Sequence, residues 1–141
     1  MSYGVLASTT FHREESSGTP RPFFGLVGDT LDAFRLVLAT EKGLVPRIIQ
    51  RSKQSDRVHM IASGSVIIFS VQESGMKRWR DGLLWSPSRI EGNFLIYKEM
   101  DTYSRVNQQD ASGGYPKAFL KVDGLRKRVR RNIKLVNGTA T

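Results

Sequence analysis

The chain has 141 residues, with 22 Lys and Arg against 13 Asp and Glu and a formal net charge of +9. That is the size of one ordinary domain, too short for two large ones, and its basic balance points to a polyanionic partner: nucleic acid first, an acidic membrane surface second. With no Cys and only two His, His12 and His59, a disulfide framework, a thiolate zinc site, a Cys nucleophile and a His-rich metal centre are all excluded.

Residues 1–22 are rich in Ser, Thr and Gly and close on Pro20 and Pro22, a composition that reads as a flexible arm. Phe23, Phe24, Leu26 and Val27 follow as a short strand. Gly28-Asp29-Thr30 opens a helix, because Asp29 or Thr30 can cap the free N–H groups and Asp32 suits the first turn. Leu31, Phe34, Val37 and Leu38 fall on one apolar helical face. Gly43 supplies the stop and Pro46 follows, so the predicted helix covers residues 30–42. Ile48 and Ile49 are expected on a second short helical turn.

Val58-His59-Met60-Ile61 and residues 65–71 are β-prone, with Gly64 turning between them. Val66-Ile67-Ile68-Phe69 is a continuous apolar run, as expected of a strand buried on both faces. Gly75 and Gly82 bracket the basic segment 76–81. Leu83, Leu84 and Trp85 return to the core, Ser86-Pro87-Ser88-Arg89 turns, and residues 94–98 form another strand. Residues 102–114 are polar and end on Ser112-Gly113-Gly114, a linker composition. Residues 118–122, Asp123-Gly124 and then Leu125 onward carry a β-hairpin signal. The fold class is α+β: a single globular domain with one main helix and a mostly antiparallel sheet built from two sequence blocks.

Charge is unevenly spread along the chain. Residues 73–141 hold 14 basic and 7 acidic groups, against 8 and 6 in residues 1–72. Two clusters dominate. One is Lys77, Arg78 and Arg80 around Trp79; the other is Arg126, Lys127, Arg128, Arg130, Arg131 and Lys134. Hydrophobic residues interleave with both, so they read as ordered elements whose like charges call for a ligand. Asp81 and Glu73 are read as partners that order the arginines. Catalytic patterns are missing: there is no Walker A motif, no dinucleotide-binding glycine pattern and no nucleophile elbow at Ser63-Gly64-Ser65. No cofactor is implied. No apolar run approaches the roughly 20 residues of a membrane helix, and the N-terminus lacks the apolar core of a signal peptide.

The most informative stretch is residues 63–99. A glycine-bounded loop carries three cations and one indole. Beside it, a Pro-stiffened turn carries two hydroxyls and an Arg. Short donors on a stiff turn suit phosphate oxygens, and Arg on a projecting loop suits a groove. Core packing is the simpler account of Trp85; for Trp79, packing and ligand contact weigh equally.

These residues resemble the WOPR-domain family of fungal transcription regulators. The family pattern stands here in order: Ser63-Gly64-Ser65-Val66, an acidic stretch, Lys77-Arg78-Trp79-x-Asp81-Gly82, Trp85-Ser86-Pro87-Ser88-Arg89 and Phe94-Leu95-Ile96-Tyr97. Upstream, Asp32-Ala33 and Gly43-Leu44-Val45-Pro46-Arg47 match; downstream, so do Asp123-Gly124-Leu125 and Lys127. The resemblance spans residues 23–134: block one at about 23–101, a linker at about 102–114, block two at about 115–134, and a tail at 135–141. Arg80 stands where the family usually has a Thr open to phosphorylation.

The resemblance implies a nuclear domain that binds double-stranded DNA, monomeric on short A·T-rich elements, with no membrane or small-molecule partner. It implies Arg78 inserted into the groove and Lys77 and Arg80 on flanking phosphates around Trp79. Ser86, Ser88 and Arg89 would touch the backbone, with Arg47, Arg126, Lys127 and Arg128 as secondary contacts. Two rivals are an RNA-binding module, which would expose aromatics on a sheet face, and a basic protein–protein module whose Arg130-Arg131 region is a nuclear localisation signal.

Overall fold

A computed structural model describes residues 2–8, 22–51, 53–102, 118–136 and 139–140. In chain order the elements are β1 (Ser2–Ser8), β2 (Phe23–Phe24), α1 (Thr30–Glu41), α2 (Gln54–Met60), β3 (Ser65–Ser70), α3 (Val71–Ser74), β4 (Arg89–Glu91), β5 (Phe94–Lys98), β6 (Met100–Thr102), β7 (Ala118–Leu120), β8 (Arg126–Val136) and β9 (Thr139–Ala140). The main sheet runs β2-β3-β1-β8-β5-β4, with β9 paired to β8, and β6-β7 form a separate ribbon. All the ladders between these strands are antiparallel, as the α+β reading expects.

The first correction is at the N-terminus. Residues 2–8, read as part of a flexible arm, form β1, inserted between β3 and β8 in the middle of the sheet. Tyr3, Val5 and Ala7 alternate into one core cluster and Leu6 points into the other. With ladders on both sides, the strand's backbone groups find partners and its small residues fit a crowded interior. Phe69 lies over Gly4, where an added Cβ would meet the ring at 3.0 Å. The remainder of the expected arm, with His12, lies outside the described residues.

α1 starts and stops where its signals stand. Asp29 Oδ1 accepts from Asp32 N at 2.8 Å, satisfying a free N–H of the first turn, and Asp32 Oδ2 accepts in return from Gly28 N at 3.0 Å, just ahead of the cap. Gly43 takes φ +72° just past the end. The buried face is Ala33, Val37 and Thr40, rotated from the expected stripe, and Leu31 is exposed. The Tyr3 hydroxyl donates to Glu41, tying the last turn of the helix to β1.

The sheet is covered on both faces. Ala33 and Val37 of α1 pack on Tyr3, Val5, Val66, Ile68, Phe94 and Ile96. On the other face, Ile48, Met60, Met76 and Trp79 pack on Leu6, Ile67 and Phe69. All six residues of β3 are buried, as its unbroken apolar run requires. Two local expectations change. Ile48 forms a parallel bridge to Phe69 instead of a helical turn, its N–H bonding Ile68 O at 2.9 Å. Val58-His59-Met60 lies in α2, where Met60 is buried and His59 is exposed. There the burial of one Met under the basic loop outweighs a weak β-propensity.

The Asp123-Gly124 turn exists, with Asp123 at φ +55°, but it does not close a hairpin. β7 pairs with β6, while β8 pairs with β1 and β5. Glu99 sits between them, its N–H bonding Leu125 O at 2.8 Å and its carbonyl accepting from Lys121 N at 3.1 Å. Leu135 and Val136, read as tail, belong to β8. Of the expected linker, residues 103–114 lie outside the described residues.

One irregularity in β8 matters for the site. Tyr3 pairs with Ile133 but Val5 pairs with Arg130, so Arg131 and Asn132 together oppose Gly4. This is a β-bulge, and Asn132 takes φ +59° within it. Before the bulge, Arg128 and Arg130 face α1. After it, Ile133 and Leu135 do. Lys127, Val129 and Arg131 face the opposite side.

Candidate nucleic-acid interface

The basic loop is a short span between buried pins. Met76 and Trp79 are 2% and 7% exposed and pack into the same cluster. Lys77, Arg78 and Arg80 are exposed. Gly75 at φ +70° turns the chain into the loop. The Arg80 carbonyl accepts from Arg57 Nη1 at 2.8 Å, which fastens the loop to α2. Trp79 therefore holds the loop from below by packing into this cluster.

Asp81 closes the loop. It is 2% exposed. Its Oδ1 accepts from Leu83 N at 3.0 Å and from Trp85 Nε1 at 2.9 Å. Its Oδ2 faces Lys127 Nζ at 3.4 Å. Asp81 was expected to order the arginines; instead it joins the loop to block two. Burial holds the Lys127 ammonium below its ordinary value, against the pull of Asp81. The ammonium also lies over the Trp85 ring at 4.2 Å and the Tyr97 ring at 5.0 Å. Lys127 is thus an interior residue.

The other expected contacts divide by what already occupies them. Arg47 Nε and Nη2 each donate to Glu73 at 2.7 Å, and this pairing holds the Glu73 carboxyl below the usual range. Arg126 Nη2 bonds both oxygens of Glu91, at 2.7 and 2.6 Å. Arg128 Nη1 donates to Val27 O at 3.1 Å and its guanidinium lies over Phe94 at 4.7 Å, on the α1 face. Ser86 Oγ accepts from Lys98 N at 3.0 Å and donates to Pro87 O at 3.1 Å, so it shapes its turn. Ser88 and Arg89 are exposed. Among the described residues, no carboxylate lies within ion-pair distance of Lys77, Arg78, Arg80 or Arg89.

Between the loop and the sheet lies a cleft of about 250 Å³, walled by Lys77, Arg78 and Arg80 on one side and by Tyr97, Lys127 and Arg131 on the other. The sequence places Arg131 in the second basic cluster but not among the expected DNA contacts. The alternation Lys127-Val129-Arg131 is its signal, but that alternation carries meaning only once the strand and its bulge are known.

The surroundings of this site match known proteins. The model of the Gti1/Pac2 family matches residues 22–133. Transcriptional regulator MIT1 of Saccharomyces cerevisiae is 41% identical over 103 residues, covering 72% of this chain and 16% of that protein. Global transcription regulator sge1 of Fusarium oxysporum is 34% identical over 111 residues, covering 78% of this chain and 34% of that protein. The chain thus spans about a third or less of these curated relatives. The structure of the WOPR domain of Wor1 from Candida albicans, in complex with a 13-base-pair double-stranded DNA, superposes with a TM-score of 0.54 at 27% identity, covering 81% of this chain and 77% of that one. With its loop, its helix and both sequence blocks inside the matched span, the chain belongs to the Gti1/Pac2 (WOPR) family, whose members are fungal transcription regulators and not enzymes.

Proposed function

We propose that the chain is the DNA-reading domain of a fungal transcription regulator, acting in the nucleus as a monomer on short A·T-rich duplex elements and needing no cofactor. Lys77-Arg78-Trp79-Arg80 is the reader. The observation that carries this reading is the loop's construction: cations without acid partners among the described residues, held outward by Trp79 below and Asp81 at the end. A preformed loop binds with little ordering cost. Arg78, in the middle, enters the minor groove, where A·T tracts are narrow and strongly negative. Lys77 and Arg80 contact the phosphates on either side, and Ser88 and Arg89 extend the backbone contact along the neighbouring turn. The resemblance to a WOPR domain in complex with duplex DNA supports this reading.

An RNA-stacking platform is less well supported, since Phe69 and Phe94 are 5% and 4% exposed, leaving Tyr97 at the cleft as the one partly exposed ring of these three. The test is a titration of A·T-rich duplex against the matched single strand and matched RNA. Duplex preference is the expected result; equal or tighter binding to either single strand would refute the proposal.

A further inference from the structure

The cleft under the basic loop has a property that groove reading leaves unused. Five cationic residues line it, Lys77, Arg78, Arg80, Lys127 and Arg131, and no carboxylate does. Lys127 keeps Asp81 as a partner at 3.4 Å. Among the described residues, no carboxylate lies within ion-pair distance of Arg131. Arg131 owes its place to the bulge, at which Arg131 and Asn132 together face Gly4. A non-glycine residue at φ +59°, as Asn132 has, is uncommon and carries a conformational cost, and such features concentrate at functional positions. Tyr97, Phe69 and Leu6 supply apolar wall between the cations.

Gathering like charges around a concave, partly apolar space is unfavourable until an anion neutralises them. The depressed basicity of Lys127 agrees: Arg131 adds to the effect of burial there. At about 250 Å³, the cleft lies just below the roughly 300–1,000 Å³ of pockets for drug-sized ligands, which suits a ligand of one-nucleotide size.

The structure assigns this cleft as a phosphate-ester site, with Arg131 of the β8 bulge as its principal cation and the loop cations as its outer rim. The ester is either a phosphodiester of bound DNA, an option that rests on the DNA-reading proposal above, or a free phosphate monoester, which does not depend on it. In both cases the phosphate lies between Arg131 and the loop, with the sugar against Tyr97.

The experiment uses the full chain and two probes, adenosine 5′-monophosphate and an A·T-rich duplex. The monophosphate is followed by tryptophan fluorescence, since Trp79 lines the cleft and the Trp85 ring lies under Lys127. Arg131→Ala is expected to weaken at least one probe by about tenfold, the scale of one lost charge-assisted hydrogen bond, and Arg131→Lys to restore part of it. Arg35→Ala, a control on the exposed side of α1, is expected to change neither. Response in the monophosphate arm identifies a free ester as ligand; response in the duplex arm alone identifies the DNA backbone. If Arg131→Ala and Arg131→Lys, with unchanged melting temperatures, alter neither probe, the site is refuted, and wild-type duplex binding then still stands. If no duplex binds but the monophosphate effect persists, the DNA reading falls and the site remains.

Discussion

Asp81 and Lys127 lie 46 positions apart in sequence, and their side chains meet at 3.4 Å in the interior. One ends the basic loop of block one; the other stands on β8 of block two. The two blocks therefore share one buried ion pair. Asp81 holds Trp85 Nε1 and Leu83 N as well, so the pair also fixes the path of the chain out of the loop.

Removing Asp81 should be costly. Asp81→Ala leaves a buried ammonium without its acid and frees two N–H donors. Loss of one partner of a buried pair typically costs about 3–5 kcal/mol. Urea denaturation should show a loss of that order, and DNA affinity should fall only as far as the loop loses order. A stability change below about 1 kcal/mol would mean the pair is solvated.

Lys127 should also leave a mark in the pH dependence of stability. Its folded pKa lies below the ordinary lysine value of 10.5. Between those two values the unfolded chain binds more protons than the folded one, so this residue makes stability rise with pH. Below its folded pKa, both states are protonated and its contribution is constant. The difference in unfolding free energy between the wild type and Lys127→Met should therefore grow in favour of the wild type as pH rises through the alkaline range towards 10.5. A flat or falling difference would contradict the direction assigned here.

β1 should be indispensable. It is hydrogen-bonded to β3 on one side and β8 on the other, so deleting residues 2–8 divides the sheet and exposes two strand edges. The shortened chain should show no cooperative thermal transition by circular dichroism. Residues 1–101 alone should fail in the same way, since they lack β8. A sharp melting transition in either fragment would show that the sheet tolerates the gap.

Salt dependence should report how many cations are available. Counting both sequence clusters overstates the number, because Arg126 and Lys127 already have acid partners and Arg128 is bonded on the α1 face. If Lys77, Arg80, Arg89 and Arg131 neutralise phosphates, log affinity should fall with log salt at a slope of about −4. A slope near zero would mean these cations face away from the DNA; a slope near −8 would bring the paired cations back into contact.

Much of this arrangement was legible because local signals and packing agreed. Asp29 caps α1 as its position predicts, and Val66-Ile67-Ile68-Phe69 is buried as its unbroken apolar run predicts. Gly75 and Gly82 bound a real loop, both at positive φ. What was not legible depends on distant pairing. β1 sits in a Ser- and Gly-rich setting whose short apolar alternation gains meaning only between two other strands. Asp123-Gly124 turns the chain, but the partner of β7 is β6, on the far side of residues 103–117. Lys127 and Arg131 look alike in a run of cations. Their difference, one paired inside and one at the cleft without a carboxylate partner among the described residues, comes from Asp81 and from a single bulge.

The most direct test of the central claim is the affinity ratio between an A·T-rich duplex and a scrambled G·C-rich duplex for Arg78→Ala and Arg131→Ala. If Arg78 reads the groove, its loss should cost about 1–3 kcal/mol on the A·T-rich site and bring the ratio towards one. Arg131→Ala should leave the ratio intact while lowering affinity for both duplexes together, or leave both affinities as they are if the cleft holds a free ester. An unchanged ratio in Arg78→Ala, with the preference lost instead in Arg131→Ala, would contradict the assignment of the basic loop as the reader.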